Sequence, residues 1–452
     1  MEDELDNLIT EIESQSILEN KNISITMLYN YYMSKGYVNY VCQYVSSIVV
    51  NIFMTLLTIF LFYLDFGKIL SCVGENCVNI LSSVELGFNV SSLFLLGNLV
   101  SSCLLTLWLI LHLLTVIPSL NRVNNYVHNE LCIDKKEFMN MKWDDLVLKT
   151  NISEIETRIK VCKIDNVILR LVKNNVLDLN IYLTRNIKFR IPITSLTNWL
   201  LKLVIQMVDR RFREDNIKRI KRNSILLGLL FLLIMPFSYI TVILYFVIKQ
   251  GEQLHAKKDY LGPRSWTQYA KILFRKDNEL PHEFDRRIYL ASKPTTNYLN
   301  IFVKNHILIT VIKTISFISG GLITLLTGIA LLNDSVLLNV FFYGRNLLSY
   351  LTIFATIFAF SRYFVVNPDN VMKEPKKELR EMCEILDYVE EEWIDREHMH
   401  VIYDRINSFY RYRYVNFLRE ILTFLLLPYM LFVIIPRNTS NIVREMSNYR
   451  LL

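Results

Sequence analysis

Apolar residues in this chain gather into long unbroken runs, and most of the charge lies between them. Four runs, residues 44–63, 93–117, 307–331 and 347–365, approach the length needed to cross a bilayer. A hydrocarbon core of about 30 Å takes about 20 apolar helical residues. Two more runs are ambiguous. Residues 224–248 have the length but carry Pro236 at their centre, and residues 421–435 are short, contain Pro428 and are followed by Pro436. Residues 144–175 read as amphipathic helix, with Leu148, Ile152, Ile155, Ile159 and Cys162 at three- and four-residue steps. Residues 195–208 form an apolar stripe too short to span, followed by Arg210, Arg211 and Arg213. Two placements stand for it, along a membrane surface or packed in a polar-side core. β-type alternation is scarce, so the expected class is all-α.

Lysine and arginine placement orients the runs, because cytosolic loops retain these residues. Residues 64–92 hold one, Lys68; residues 120–223 hold twenty-one; residues 249–304 hold eleven; residues 332–344 hold none; residues 366–419 hold nine. The first loop and the short 332–344 turn therefore face the lumen, and the rest faces the cytosol. Both flanks of 224–248 are basic, so a straight crossing would strand cations on the wrong side. A hairpin that bends at Pro236 and returns avoids this, since proline removes a backbone donor and breaks a helix. The same logic makes 421–435 re-entrant. The expectation is four transmembrane helices, two re-entrant membrane helices and cytosolic helices, with both termini cytosolic; the rival count is six spans. The implied divisions are 1–43, 44–117, 118–223, 224–248, 249–306, 307–365, 366–420, 421–435 and 436–452.

Composition agrees. Of 452 residues 52% are hydrophobic, with a mean hydropathy of +0.27, while 21% are charged. That charge is too much for a bare bundle of spans, so large polar regions lie outside the bilayer. Basic cytosolic loops account for the net charge of +7, and nucleic-acid binding is not expected. The acidic start, with no early apolar run, lacks the features of a cleaved signal peptide. Cys72 and Cys77 fall in the expected luminal loop, as a disulfide or as two free thiols. Asn89 heads a glycosylation sequon there, and Asn333 heads another in the short luminal turn; those at Asn22, Asn151 and Asn438 fall on the cytosolic side.

Several short motifs then line up. Leu28-Tyr29-Asn30-Tyr31-Tyr32 precedes Lys35-Gly36-Tyr37; Tyr63-Leu64-Asp65-Phe66 ends the first run; Trp143 opens a polar-side helix. In the middle stand Leu261-Gly262-Pro263-Arg264-Ser265-Trp266, then Asn278-Glu279-Leu280-Pro281-His282-Glu283-Phe284, then Lys293-Pro294 and Tyr298. Ser361-Arg362-Tyr363-Phe364 and residues 412–432, with Glu420 and Pro428, close the series. In order and spacing this resembles the core of the autophagy-related protein 9 family over roughly residues 25–435. The resemblance implies an interlocked homotrimer with lipid paths, acting as an energy-independent phospholipid scramblase during autophagosome membrane formation and expansion. It also implies Golgi- and endosome-derived vesicles, the preautophagosomal structure, autophagosome membranes and endoplasmic reticulum contacts as its setting. The implied partners are phospholipids, the membrane, further copies of the chain and a bridge-like autophagic lipid-transfer protein. Family members usually carry long cytosolic tails, whereas this sequence ends sixteen residues after Pro436, which leaves tail-borne partner and phosphorylation sites open. The alternatives are a non-scrambling trimeric scaffold for autophagy factors, or an ion channel or transporter.

A scramblase needs no nucleophile. A headgroup crossing hydrocarbon meets a desolvation cost that a wet, polar-walled groove removes. Such a groove needs polar residues inside the spans. Candidates are Lys313, Thr310, Thr314, Arg345, Thr352, Thr356 and Arg362, with Ser316, Ser319, Thr324, Ser349 and Ser361 as path lining or helix-packing contacts. Gly320-Gly321 would permit close packing, and Asn51 and Asn98 would pair across the first two spans. His282 with Glu283 suits a buried hydrogen-bond network better than catalysis. His398 and His400 lack a third ligand at metal-site spacing. The sequence contains no phosphate-binding GxxxxGK[ST], His-x4-Asp or nucleophile-elbow pattern. No cofactor, metal or enzymatic activity is expected.

Overall fold

The computed structural model describes residues 23–64, 90–150, 152–182, 188–206, 214–256, 264–302, 306–364, 374–393 and 396–451. In chain order the main helices are α1 (Ile25–Met33), α2 (Tyr37–Tyr63), α3 (Val90–Asn125), α4 (Lys135–Asn140), α5 (Trp143–Thr150), α6 (Glu154–Lys173), α7 (Ser195–Gln206) and α8 (Glu214–Ala256). They continue with α9 (Gln268–Phe274), α10 (Pro281–Ile301), α11 (His306–Leu332), α12 (Asp334–Asn339), α13 (Leu347–Phe364), α14 (Pro375–Leu386), α15 (His400–Phe409), α16 (Arg413–Leu425) and α17 (Ile435–Leu451). Among the described residues the strands pair as two-stranded antiparallel ladders, Asn180–Tyr182 with Lys188–Arg190, Arg264–Trp266 with Tyr410–Tyr412, and Phe341–Phe342 with Arg345–Asn346. The protein is an all-α integral membrane protein. Cys72, Cys77, Asn89, Leu261 and Gly262 lie outside the described residues.

By length and composition, Tyr37–Tyr63, Phe94–Glu130, Ile217–Lys249 and Thr310–Leu332 are long and apolar enough to cross a membrane. α13 has 18 residues, about 27 Å at 1.5 Å per residue, and its apolar part Leu347–Ala359 is shorter. Arg413–Leu425 and Leu427–Glu445 form one further apolar pair, bent by 57°. Pro428 sits just after that bend, as proline at a break predicts.

The hairpin expected over residues 224–248 is absent. α8 runs unbroken for 43 residues with Pro236 inside it, about 65 Å of helix. A proline inside an apolar helix is tolerated where neighbouring helices support the local backbone. Pro236 removes the donor to the Leu232 carbonyl, and α8 stays continuous while packed along α2 and α3.

The chain divides into two compact units. The first comprises Met1–Lys258, Arg275–Phe284 and Phe417–Leu452; the second comprises Asp259–Phe274 and Asp285–Asn416. In the first unit α2, α3 and α8 pack along one another. Beyond the apolar part of α3 lies a core built from Leu28, Tyr29 and Tyr31 of α1, Leu120 and Val123 of α3, and Phe138, Trp143 and Leu146. Tyr29 meets Trp143 edge-on with centroids 5.0 Å apart. Burying such a side chain contributes about 1.5–3 kcal/mol, which anchors the polar-side helices to the end of α3.

Residues 144–175 are not one helix. α5 ends at Thr150 and α6 starts at Glu154, so the apolar stripe does not run continuously. The buried face of α5 is Trp143, Leu146 and Val147, while Leu148, Ile155 and Ile159 point outward. α7 packs against α6, with Leu200 and Leu201 buried and Lys202 paired with Asp165 at 2.7 Å. Of its two expected placements, core packing is the one observed.

In the second unit α11 and α13 pack along each other. A Cβ on Gly320 would lie 3.0 Å from the Phe358 ring, whereas Gly321 faces open space; only the first of the two glycines serves close packing. The connection runs through α12, capped by the Asn333 side chain, and a tight turn with Tyr343 and Gly344 at φ +48° and +75°.

Candidate functional site

The polar residues expected along a lipid path stand on the outer faces of α11 and α13. Thr310, Lys313, Thr314 and Thr324 are exposed on α11, at spacings that keep them on adjoining strips of one side. On the same strip, a Cβ added to Gly321 or Gly328 would meet nothing within 4 Å. Thr352 and Thr356 are exposed on α13. Ser316, Ser319 and Ser361 are buried instead, so they are packing contacts. The exposed threonines share one geometry: Thr314 donates to Thr310 O at 2.9 Å, Thr324 to Gly320 O at 2.9 Å, Thr352 to Ser349 O at 2.8 Å and Thr356 to Thr352 O at 2.7 Å. Each hydroxyl proton is used within the helix, which leaves the oxygen facing outward as an acceptor.

Cations mark the two ends of this pair. Lys313 lies nineteen residues before the end of α11 at Leu332, about 28 Å along the axis, comparable with a hydrocarbon core of about 30 Å. Arg345 is exposed in the turn beyond that end. Next to it, Ser349 donates to Asn346 Oδ1 at 2.5 Å. Arg362 falls in the last turn of α13, and its side chain lies outside the described residues.

A second set of polar groups lies between helices of the first unit, with Thr55, Thr58 and Asn98 buried and Asn51, Ser102 and Thr241 partly so. Asn51 of α2 donates to the Ser102 hydroxyl of α3 at 3.1 Å, and Thr55 meets the same hydroxyl at 2.6 Å. Asn98 of α3 donates to Thr241 of α8 at 2.6 Å, and Thr58 of α2 contacts Thr241 at 3.1 Å. Asn51 and Asn98 thus do not pair with each other, because each finds a hydroxyl on a facing helix. Thr241 carried no signal in the sequence, since a lone threonine in an apolar run is ordinary. Its role follows from α8 continuing past Pro236.

The family-type motif residues are structural. Arg264 is buried, stacks 4.1 Å over the Tyr412 ring, donates to Tyr410 O at 3.1 Å and also bonds Asn407. Trp266 donates to Ser292 at 3.0 Å. Asn278, at φ +58°, exchanges bonds with Asn166 at 2.7 and 3.1 Å. The Glu279 carbonyl accepts from Arg275 at 3.0 Å and its carboxylate from Lys276 N at 3.0 Å. Lys293 is exposed, and Pro294 sits inside α10. His282 Nδ1 lies 2.9 Å from the Tyr29 hydroxyl, and burial pushes its pKa down. Glu283 accepts two bonds from Arg158 at 2.7 and 2.8 Å. Burial alone would raise the Glu283 pKa, but the guanidinium more than offsets it and holds the carboxyl low. His400 packs against Phe302, with centroids 5.9 Å apart. Among the described residues no group of three or more His, Cys, Asp or Glu could hold a metal ion.

Comparison with known proteins places this arrangement. The family model described as autophagy protein ATG9 matches residues 17–451. Autophagy-related protein 9 of Dictyostelium discoideum is 24% identical over 475 residues, covering 95% of this chain and 64% of that protein. The Candida glabrata protein of the same name is 23% identical, covering 96% and 50%, and the Arabidopsis thaliana one is 27% identical, covering 58% and 31%. The chain therefore spans less than two thirds of the length of these relatives. The cryo-EM structure of Schizosaccharomyces pombe Atg9 superposes with a TM-score of 0.63 at 23% identity, covering 93% of this chain and 92% of that one, a likeness of fold.

Proposed function

The chain belongs to the autophagy protein ATG9 family, and from that premise we propose that it equilibrates phospholipid between leaflets without an energy source during autophagosome membrane formation and expansion. The observation that carries this reading is the exposed polar line of α11 and α13. Lys313 is exposed within a helix of membrane-crossing length. It stands near one end of the apolar stretch Thr310–Leu332, where its ammonium reaches interfacial water and avoids the about 2.5–3.5 kcal/mol that a lysine costs at a helix centre. The line of outward hydroxyl oxygens supplies acceptors for an ammonium headgroup, and Lys313 and Arg345 supply donors for phosphate near the two ends. Further copies of the chain, as a homotrimer, would wall this line into a wet furrow while the acyl tails stay in lipid. Both termini and the basic loops then face the cytosol, where a bridge-like lipid-transfer protein can deliver lipid to one leaflet. Vesicles of Golgi and endosomal origin, growing autophagosomes and their contacts with the endoplasmic reticulum are the membranes that such an activity serves.

The test is exchange in vesicles reconstituted with the purified chain and carrying a fluorescent lipid in both leaflets. An impermeant quencher added outside should remove well over half of the signal. Lys313→Leu and Arg362→Leu should each slow the second phase about tenfold, the effect of about 1.4 kcal/mol on a barrier, while the oligomer elutes unchanged. Protection of the inner half in vesicles that contain folded protein rejects scrambling and leaves a scaffold. Ion conductance without lipid exchange would favour a channel.

A further inference from the structure

A cavity of about 210 Å³ opens in the first unit, where the start of α2 meets the end of α3 and the first turn of α4. We propose that it binds a phosphate-bearing anion, the headgroup of an acidic phospholipid. Lys35 and Lys135 line it together with Tyr31, Asn121, Asn124 and His128, and its lining includes no aspartate or glutamate. A water occupies about 30 Å³, and drug-sized ligands take about 300–1,000 Å³; the space between these limits suits a headgroup. Lys35, at φ +58°, places its ammonium 4.5 Å above the Tyr32 ring, which fixes it without neutralising it.

The neutral groups of the lining hold one another in place. His128 Nδ1 lies 2.7 Å from the Ile133 carbonyl, so that nitrogen carries a proton. The Tyr31 hydroxyl has one proton and faces two acceptors, Asn124 Oδ1 at 2.9 Å and His128 Nε2 at 3.2 Å. These contacts fix Tyr31, Asn124 and His128 along the cavity wall.

One edge of the cavity reaches headgroup depth. Asn121 follows the apolar run that ends at Ile117 by four residues, about 6 Å along the helix, within a headgroup layer about 5–8 Å thick, while Asn124 and His128 stand farther out on the aqueous side. Exposed Val38, at 67%, stands on the cavity wall, where an acyl chain would leave. The inference rests on the membrane placement of α2 and α3 proposed above but not on scrambling.

The experiment uses the full chain in detergent micelles and a fluorescent dioctanoyl phosphatidic acid read by anisotropy. Lys35→Gln with Lys135→Gln should weaken binding at least about tenfold, and Lys135→Gln alone about threefold, the scale of one or two charge-assisted contacts at a partly exposed site. Lys136→Gln removes the same charge one residue away and should change nothing. Dioctanoyl phosphatidylcholine should not compete. Inorganic phosphate competing as well as the lipid would support the phosphate site but assign it to a soluble ligand. Equal binding by the wild type and the double variant, or equal competition by phosphatidylcholine, overturns the proposal. A chain that binds here yet fails to scramble removes only the transport reading.

Discussion

Thr241→Val isolates the contact that holds α8 against α2 and α3. The substitution keeps the shape of the side chain and deletes one hydroxyl. Thr58 loses little, because it still donates to the Met54 carbonyl at 2.7 Å. Asn98 loses its 2.6 Å acceptor while only 1% exposed. An unsatisfied buried donor costs about 1–3 kcal/mol in a protein interior. Contacts between membrane helices average about 0.6 and reach about 1.7 kcal/mol. The short distance and near-complete burial place this one near the top of the membrane range, about 1–2 kcal/mol, or a five- to thirtyfold rise in the unfolded fraction. Thr241→Ser, which keeps the hydroxyl, should lose under about half of that. Asn98→Leu combined with Thr241→Val should cost less than the sum of the single changes, since replacing both partners removes the stranded donor. The assay is equilibrium unfolding in mixed micelles of increasing denaturing-detergent fraction, followed by helicity. A Thr241→Val cost under about 0.3 kcal/mol with strict additivity would show that the threonine does not lie between α2 and α3, and the reasoning from an unbroken α8 would fail.

Gly97 and Gly321 should behave oppositely: a Cβ on Gly97 would lie 2.3 Å from the Phe237 ring, whereas Gly321 faces nothing within 4 Å. Gly97→Ala should destabilise by about 1–3 kcal/mol and Gly321→Ala should be neutral or stabilise by up to about 1 kcal/mol, both read in the same unfolding assay. The His282 pKa is lowered by burial, so the unfolded chain binds its proton first as pH falls. Its stability contribution is therefore complete above about 6.5 and is lost as pH drops through the folded value. Thermal unfolding should weaken below that pH in the wild type and less so in His282→Gln; parallel profiles would contradict the buried placement. Burial pushes the Cys383 thiol up to about 12 and raises the Cys162 thiol as well, while Cys42, Cys103 and Cys132 are exposed. Maleimide at neutral pH should label Cys42 and Cys132, at or beyond the span ends, in the folded protein and reach Cys162 and Cys383 only after unfolding, while Cys103, inside an apolar span, stays slow in lipid; peptide mass spectrometry would resolve the sites.

The apolar runs were legible because a bilayer demands uninterrupted hydrophobicity, a local property of the chain. All six emerged as helix, and residues 421–435 also showed the expected break near Pro428. Pro236 misled because a single proline removes one backbone bond, to the Leu232 carbonyl, and a 43-residue helix packed along α2 and α3 offsets that loss. The 144–175 stripe misled because one helix ends at Thr150 and the next starts at Glu154, and Leu148, Ile155 and Ile159 face outward on them. The cavity beside Lys35 was not legible. Lys35, His128 and Lys135 are separated by up to a hundred residues and meet only through packing of α1, α3 and α4 around Phe138.

Polar residues in the apolar helices divide by what their hydrogen bonds do, and this division decides which of them can concern lipid. Thr58, Asn98 and Thr241 satisfy one another on three helices, so their polarity is consumed in fixing helix order. Thr314, Thr324, Thr352 and Thr356 satisfy only their protons, each on its own helix, and keep an oxygen outward. Lys313 has no ion pair among the described residues. A sequence scan weights Asn98 and Thr352 alike, since both are polar residues in an apolar run. Under the scrambling reading proposed above, only the second kind can lower the cost of moving a headgroup, because only it keeps bonding capacity for one. Filling the α2–α3–α8 seam with apolar residues should therefore change stability, whereas filling the α11–α13 line should change the exchange rate. Variants of both kinds measured in one reconstitution would separate structural polarity from transport polarity within the same chain.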